Sequence, residues 1–276
     1  MGTRTEHDML GEMEIPADAW YGVQTQRALE NFSITGVPIS HFPELVKALA
    51  MVKLAAARTN CELGLLPERK AFAISAACQA ILEGRAHDQF VVDLIQGGAG
   101  TSTNMNANEV IANLASQQSG KAIHPNDHVN YGQSSNDIIP TTIHVSAAIA
   151  LKQELLPALS HLYSVIGRKA SEVKDVCKTG RTHLMDAMPV RMEQSLSGWQ
   201  AQICQQIKTL NAHQPAIQTL ALGGTAVGTG INAHPDFSFS FNQALTELTG
   251  IPFQPADNFF ALIASQDTAV TLSGLL

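Results

Sequence analysis

The sequence predicts a mostly α-helical protein: an N-terminal domain of mixed helices over residues 1–138, then long antiparallel helices of a bundle over 139–276. Three observations carry that expectation. Apolar residues recur at spacings of three and four over two unusually long stretches, 143–166 and 192–210, as on the buried stripe of a helix. No convincing stretch alternates apolar with polar residues in the manner of a half-buried strand. Aromatic residues are few (10 Phe, 3 Tyr, 2 Trp), whereas alanine and leucine are abundant, a balance that favours helices.

Each element follows from local signals. The first forty residues are mixed, and Pro16, Gly22, Gly36 and Pro38 punctuate them into an irregular or short-strand arm. From Pro43, the residues Leu45, Val46, Leu49, Val52, Leu54 and Ala55 recur at helical spacing, ending near Gly64. A second helix is expected over Glu68 to Leu82, with Gly84 as its stop. A polar, glycine-rich stretch at 97–104 leads into a helix over 105–117. The segment 121–137 lacks helical periodicity and is dense in His, Asn, Asp and Ser. Pro140 stands where a proline suits a helix start, so a long helix is expected over 141–176, bent at Pro157. A second long helix is expected over 190–214, and a glycine-rich loop at 223–230 precedes helical segments at 237–248 and 258–276. The last segment stays apolar through Leu275 and Leu276, which leads to the expectation that the bundle is truncated and the chain is the N-terminal part of a longer polypeptide.

Composition narrows the function. With 45% apolar residues among 276, the chain buries too much apolar surface to be disordered or collagen-like. Its 17 Lys plus Arg against 24 Asp plus Glu give a formal charge of −7, with no basic footprint for nucleic acid. Cys61, Cys78, Cys177 and Cys204 form no Cys-x-x-Cys pair, so buried structural thiols in a reducing compartment are expected. The N-terminus lacks the apolar region of a secretory signal, and no stretch approaches the ~18 apolar residues of a membrane span. A soluble, cytoplasmic protein with no membrane partner is expected.

Three polar clusters could carry chemistry. The first, 97–104, combines flexible backbone N–H groups, Thr101 and a helix start, which together suit an anion; it reads equally as a glycine linker with a hydroxyl cap. The second holds His124, Asn126, Asp127 and His128, then Gln133, Ser134, Ser135, Asn136 and Asp137. It offers hydroxyl and amide donors ahead of a helix, or merely caps and turns. No further ligand pair accompanies His124 and His128, so no metal site is expected. The third is Arg181, Thr182 and His183, with no Gly-x-Ser-x-Gly elbow anywhere to support a serine hydrolase.

In this order the clusters resemble the fumarase/aspartase superfamily of lyases. GGAGTSTNMNANEVIAN at 97–113, HPNDHVNYGQSSND at 124–137 and GRTHLMDAMP at 180–189 carry the likeness, with LALGGTAVGTGIN at 220–232 and IPADAWYGVQTQRALENF at 15–32 in support. The arm and the DQFVVDLIQGGAGTS stretch are similar to aspartate ammonia-lyase, whereas QSSND is similar to fumarate hydratase; the ammonia-lyase is the expected member and the hydratase the alternative. A third alternative is a noncatalytic interaction protein. The resemblance implies β-elimination on a four-carbon dicarboxylate, through an aci-carboxylate dianion held by preorganised donors. It implies substrate binding by Thr101, Ser134, Ser135 and Asn136, catalytic roles for Thr182 and His183, and a secondary anion site at His124, Asn126 and Asp127. It further implies a homotetramer whose active sites are each shared by three subunits, with no cofactor. The family's mobile Gly-Ser-Ser-x-Met-Pro-x-Lys-x-Asn loop, which brings the proton-abstracting serine, is not found in these 276 residues. This chain alone is therefore expected to be inactive.

Overall fold

Helix follows helix in the computed structural model, which describes residues 2–276, and three two-stranded sheets interrupt them. The chain forms two compact units, one running to Ala147 and taking in Ile217–Asp267, the other comprising Ala148–Ala216 and Thr268–Leu276. The predicted mostly helical fold is present.

The first unit opens with a hairpin, β1 (Thr3–Asp8) against β2 (Gly11–Pro16), in antiparallel register from Thr3↔Pro16 to Asp8↔Gly11. An ion pair from Asp8 to Arg27 (Oδ1–Nη2 2.8 Å) ties it to α1 (Val23–Asn31). No local side chain caps α1. Instead Glu109, from a distant helix, accepts the N–H groups of Gly22 (2.8 Å), Gln24 (2.8 Å) and Thr25 (3.0 Å), and the Thr25 hydroxyl (2.6 Å). Burial pushes the Glu109 carboxyl above its usual range, and these four donors pull it back only in part.

At the centre lies α2 (Pro43–Glu62), packed by α3 (Glu68–Leu82), α4 (Thr101–Ser119) and α8 (Phe237–Thr249). Its alanines, including Ala48, Ala50 and Ala55–Ala57, make it slender enough to be covered on several sides, and Val46, Leu49, Val52 and Leu54 fill the spaces between. The turn at residues 34–36 is held by Asp93, which takes the N–H groups of Ile34, Thr35 and Gly36. Burial raises the Asp93 carboxyl, but the Ile95 N–H, the Thr35 hydroxyl and the turn N–H groups outweigh it, leaving it lowered to about 2. A short parallel pair, β5 (Thr219–Leu220) with β6 (Gln254–Pro255), closes this unit.

The second unit contains α6 (Leu156–Glu172), the hairpin β3 (Cys177–Thr182) and β4 (Met185–Arg191), most of α7 (Met192–Ile217), and α10 (Asp267–Leu275) from Thr268 on. No residue of α6 is buried, and Leu162 and Trp199 are 43% and 59% exposed, so these helices keep much apolar surface uncovered.

Several expectations are corrected. The helix expected from Pro140 begins at Ser135, as α5 (Ser135–Ala150), because the cap described below sets its start and the proline is carried inside. The bend expected at Pro157 takes the form of a widened turn at Leu151–Leu155. Pro157 cannot donate to the carbonyl four residues back, and the wide turn accommodates the missing bond. The segment 258–276 is two helices, α9 (Phe259–Ala264), capped by Asn258 Oδ1 on the Ala261 N–H, and α10. Of the four cysteines only Cys78 is fully buried, and Cys177 is exposed. Among the described residues no helix is long and apolar enough to cross a membrane.

Candidate active site

Two helix N-termini meet in the first unit. Gly100 precedes α4 in the left-handed region (φ 64°), and a Cβ there would lie 2.7 Å from Ile139 Cγ1. Only glycine lets the start of α4 press this closely on α5. One turn on, Asn104 Nδ2 donates to Ser135 Oγ at 3.0 Å. Thr101, exposed at the first position of α4, thus shares this region with the half-buried Ser134, Ser135 and Asn136. The first turns of α4 and α5 thus lie side by side, and the N-terminus of a helix favours a nearby anion.

The start of α5 is locked by reciprocal capping: Asn136 N donates to Ser134 Oγ (3.3 Å), and Ser134 N donates to Asp137 Oδ1 (2.9 Å). The other carboxylate oxygen of Asp137 accepts from Gly223 N (3.1 Å) and Thr225 N (2.8 Å). Asn136 Nδ2 reaches Ala226 O at 2.6 Å. One buried carboxylate therefore joins α5 to the glycine-rich loop, where Thr225 is held at φ 55°. Burial pushes Asp137 up to about 6, against the three N–H donors and the field of Lys53.

Lys53, on α2, is wholly buried and donates to Asn130 Oδ1 (2.8 Å) and Gln133 Oε1 (2.9 Å). Asn104 Nδ2 also lies 3.2 Å from Asn130 Oδ1, so the network runs from Lys53 to Ser135. Burial lowers Lys53 to about 7, while Asp137 and Cys78 act in the opposite direction. Burial likewise pushes the Cys78 thiol up to about 12, which leaves it inert at neutral pH. Sequence reasoning missed Lys53, Asn104 and Asn130. Its one available signal was a lysine set in the apolar stretch from Leu49 to Ala57.

His124, Asn126 and Asp127 stand on an exposed, widened turn at Pro125–Val129, where His124 Nδ1 accepts the Asp127 N–H (3.1 Å). His124 and Asn126 open on a cavity of about 580 Å³ whose lining also includes Glu6, Asp8 and Glu109. His128 is pulled down by burial and by the neighbouring Lys70.

Thr182 and His183 belong to the second unit, both exposed. Thr182 pairs with Met185, so His183 and Leu184 form a two-residue hairpin turn with φ 50° and 62°. That geometry is comfortable for Asn-Gly and strained for these side chains. The structure thus sets Thr101 at the start of α4 and Ser134, Ser135 and Asn136 at the start of α5, with the two first turns in contact, and puts Thr182 and His183 at a strained, solvent-facing tip. Among the described residues no group of three or more His, Cys, Asp or Glu could hold a metal ion.

The family model described as "Lyase" matches residues 11–276. Fumarate hydratase class II 2 of Pseudomonas aeruginosa is 55% identical over 275 residues, covering 99% of this chain and 59% of that protein. Fumarate hydratase class II of Halobacterium salinarum is 49% identical over 269 residues, covering 96% and 57%. The crystal structure of class II fumarase from Schistosoma mansoni superposes with a TM-score of 0.95 at 38% identity, covering 99% of this chain and 62% of that one. The chain therefore spans between 57% and 62% of the length of these relatives.

Proposed function

Since the chain belongs to the lyase family, within the fumarase/aspartase superfamily, we propose that a polypeptide of the relatives' length containing it is a fumarate hydratase. In that reaction the water oxygen bonds to one alkene carbon of fumarate and a proton to the other, giving malate; the reverse eliminates water. This replaces the ammonia-lyase expected from the arm motif, because the relatives named above carry the hydratase name at up to 55% identity.

The close packing of the first turns of α4 and α5 against each other is the observation that carries the proposal. Negative charge builds on a carboxylate as the aci-carboxylate forms, and donors already aimed there stabilise it without reorganising. Thr101, Ser134, Ser135 and Asn136 supply hydroxyl and amide donors at that place, and the carboxylate of the adjacent Asp137 is occupied by backbone N–H groups. In the proposed enzyme Thr182 and His183 of another copy complete each site, His183 orienting the water. The strained backbone at His183 supports that role, because strain of this kind persists where function needs it. His124, Asn126 and Asp127 serve as a secondary anion site. The same proposal takes the longer protein as a cytoplasmic homotetramer with domains divided at 138/139, its subunits covering the exposed faces around Leu162 and Trp199.

The full-length protein is expected to convert malate to fumarate, followed by ultraviolet absorbance, and to release no ammonia from aspartate. The reverse preference would overturn the hydratase in favour of the ammonia-lyase. The 276-residue chain alone is expected to give no turnover; clear activity would remove the need for the missing serine loop. Replacing His183 by Asn in the full-length protein should lower turnover by roughly 10²–10⁴-fold.

A further inference from the structure

We propose that Lys53 is a positioning residue of this site: its buried amine orders Asn130 and Gln133 and, through Asn104, aims the Ser135 hydroxyl at the substrate. The inference rests on the hydratase proposal for what Ser135 binds, and on geometry for the rest.

A lysine amine has only donors to offer, and Lys53 meets two amide oxygens, Asn130 Oδ1 at 2.8 Å and Gln133 Oε1 at 2.9 Å. This fixes which way both amides face. Their NH₂ ends then hold the loop, Asn130 Nδ2 on Gln133 O (3.2 Å) and Gln133 Nε2 on Val129 O (3.1 Å) and Tyr131 O (3.2 Å). Residues 129–133 are in effect wrapped around one amine. The order passes outward because the Asn104 amide bonds both Asn130 Oδ1 (3.2 Å) and Ser135 Oγ (3.0 Å). Ser135 receives that N–H on its oxygen, so its own proton points elsewhere and is free for a substrate oxygen. Without Lys53, Asn130 can turn its NH₂ toward Asn104; either two donors meet or Asn104 turns over to present its unpartnered Oδ1, and in both cases Ser135 Oγ loses the Asn104 N–H. The charged and titratable groups facing Lys53 are Asp137 of α5 and Cys78 of α3.

A double-mutant cycle in the full-length enzyme separates positioning from general support. Lys53→Met is expected to lower kcat/KM for fumarate hydration about tenfold or more in the wild-type background, within the range for coupled neighbours. In the Ser135→Ala background the same change is expected to cost less than about twofold. Equal losses in both backgrounds would overturn the inference while leaving the hydratase proposal intact, whereas an active-site failure of the wild type would count against that proposal. Should Lys53→Met not fold, Asn130→Ala removes the relay while keeping the lysine, and the same non-additivity with Ser135→Ala is expected; additivity overturns the inference. A readout free of turnover is amide hydrogen exchange over residues 129–135, expected to quicken in Lys53→Met with α3 and α8 still protected. Unchanged exchange there would also overturn it.

Discussion

Replacing Asp137 by Asn tests the cap, the loop and the buried charge together. The carboxylate serves three backbone donors with two oxygens, Ser134 N on Oδ1 and Gly223 N and Thr225 N on Oδ2. An asparagine has one acceptor. Turned to the loop it keeps two bonds and sets its NH₂ against the Ser134 N–H, a loss of about 1–3 kcal/mol for an orphaned buried donor. An opposing effect comes from charge. Burial raises Asp137 from 3.8 to about 6, so at pH 7 the folded state carries a penalty of about 3 kcal/mol for keeping it ionised, which asparagine does not have. The two nearly cancel, and stability at pH 7 should change by less than about 2 kcal/mol. For a carboxyl raised on folding, the penalty is complete above about 6 and is relieved as pH falls toward 3.8. The wild type alone gains that relief, so the variant should become relatively less stable in acid, by up to about 3 kcal/mol. Urea unfolding of both proteins at pH 7 and near pH 4.5 measures it. A deficit that is the same at both pH values would refute the reasoning.

Glu109→Ala strips α1 of its remote cap and leaves buried N–H groups at Gly22 and Thr25 unpaired; a loss of about 3–5 kcal/mol is expected by urea unfolding, with faster hydrogen exchange over Val23–Asn31. Gly100→Ala demands a left-handed alanine and a Cβ 2.7 Å from Ile139, so about 2–5 kcal/mol should be lost, together with turnover in the proposed full-length hydratase as the two helix starts part. Asp93→Asn should remove an acid-sensitive contribution. The wild-type carboxyl is lowered to about 2, so its stabilisation is complete above 3.8 and is lost as pH falls through about 2; unfolding of the variant should lack that dependence.

Helices whose stripe and stop coincide were legible in the sequence. Glu68–Leu82, ended at Gly84, is the clearest, since periodicity and a glycine stop agree. The strands were not, because the alternation in TRTEHD is between exposed and half-exposed polar residues, and β3 and β4 lie largely in solvent. Their order comes from pairing, which a one-strand pattern does not carry. Pro140 misled for a related reason: a rule about proline placed the helix start, while the Ser134–Asp137 cap placed it five residues earlier. The hydroxyl clusters at Thr101 and Ser134–Asn136 were readable as residue types at helix starts. What joins them was not, since Asn104–Ser135, Asp137–Thr225 and Lys53–Asn130 span 31, 88 and 77 positions. Lys53 illustrates the limit. In a pattern of apolar and polar letters it interrupts a core helix, and only the fold reveals it as the centre of a polar network.

The packing of α2 against α8 has a consequence for biosynthesis. Pro43–Glu62 emerges from the ribosome long before Phe237–Thr249, and at roughly 5–20 residues per second the interval is on the order of 10–40 s. Throughout that interval one flank of an alanine- and leucine-rich segment has no companion in the nascent chain. During translation this flank is a natural seat for a chaperone, and ribosomes pausing ahead of residue 237 would prolong the exposure.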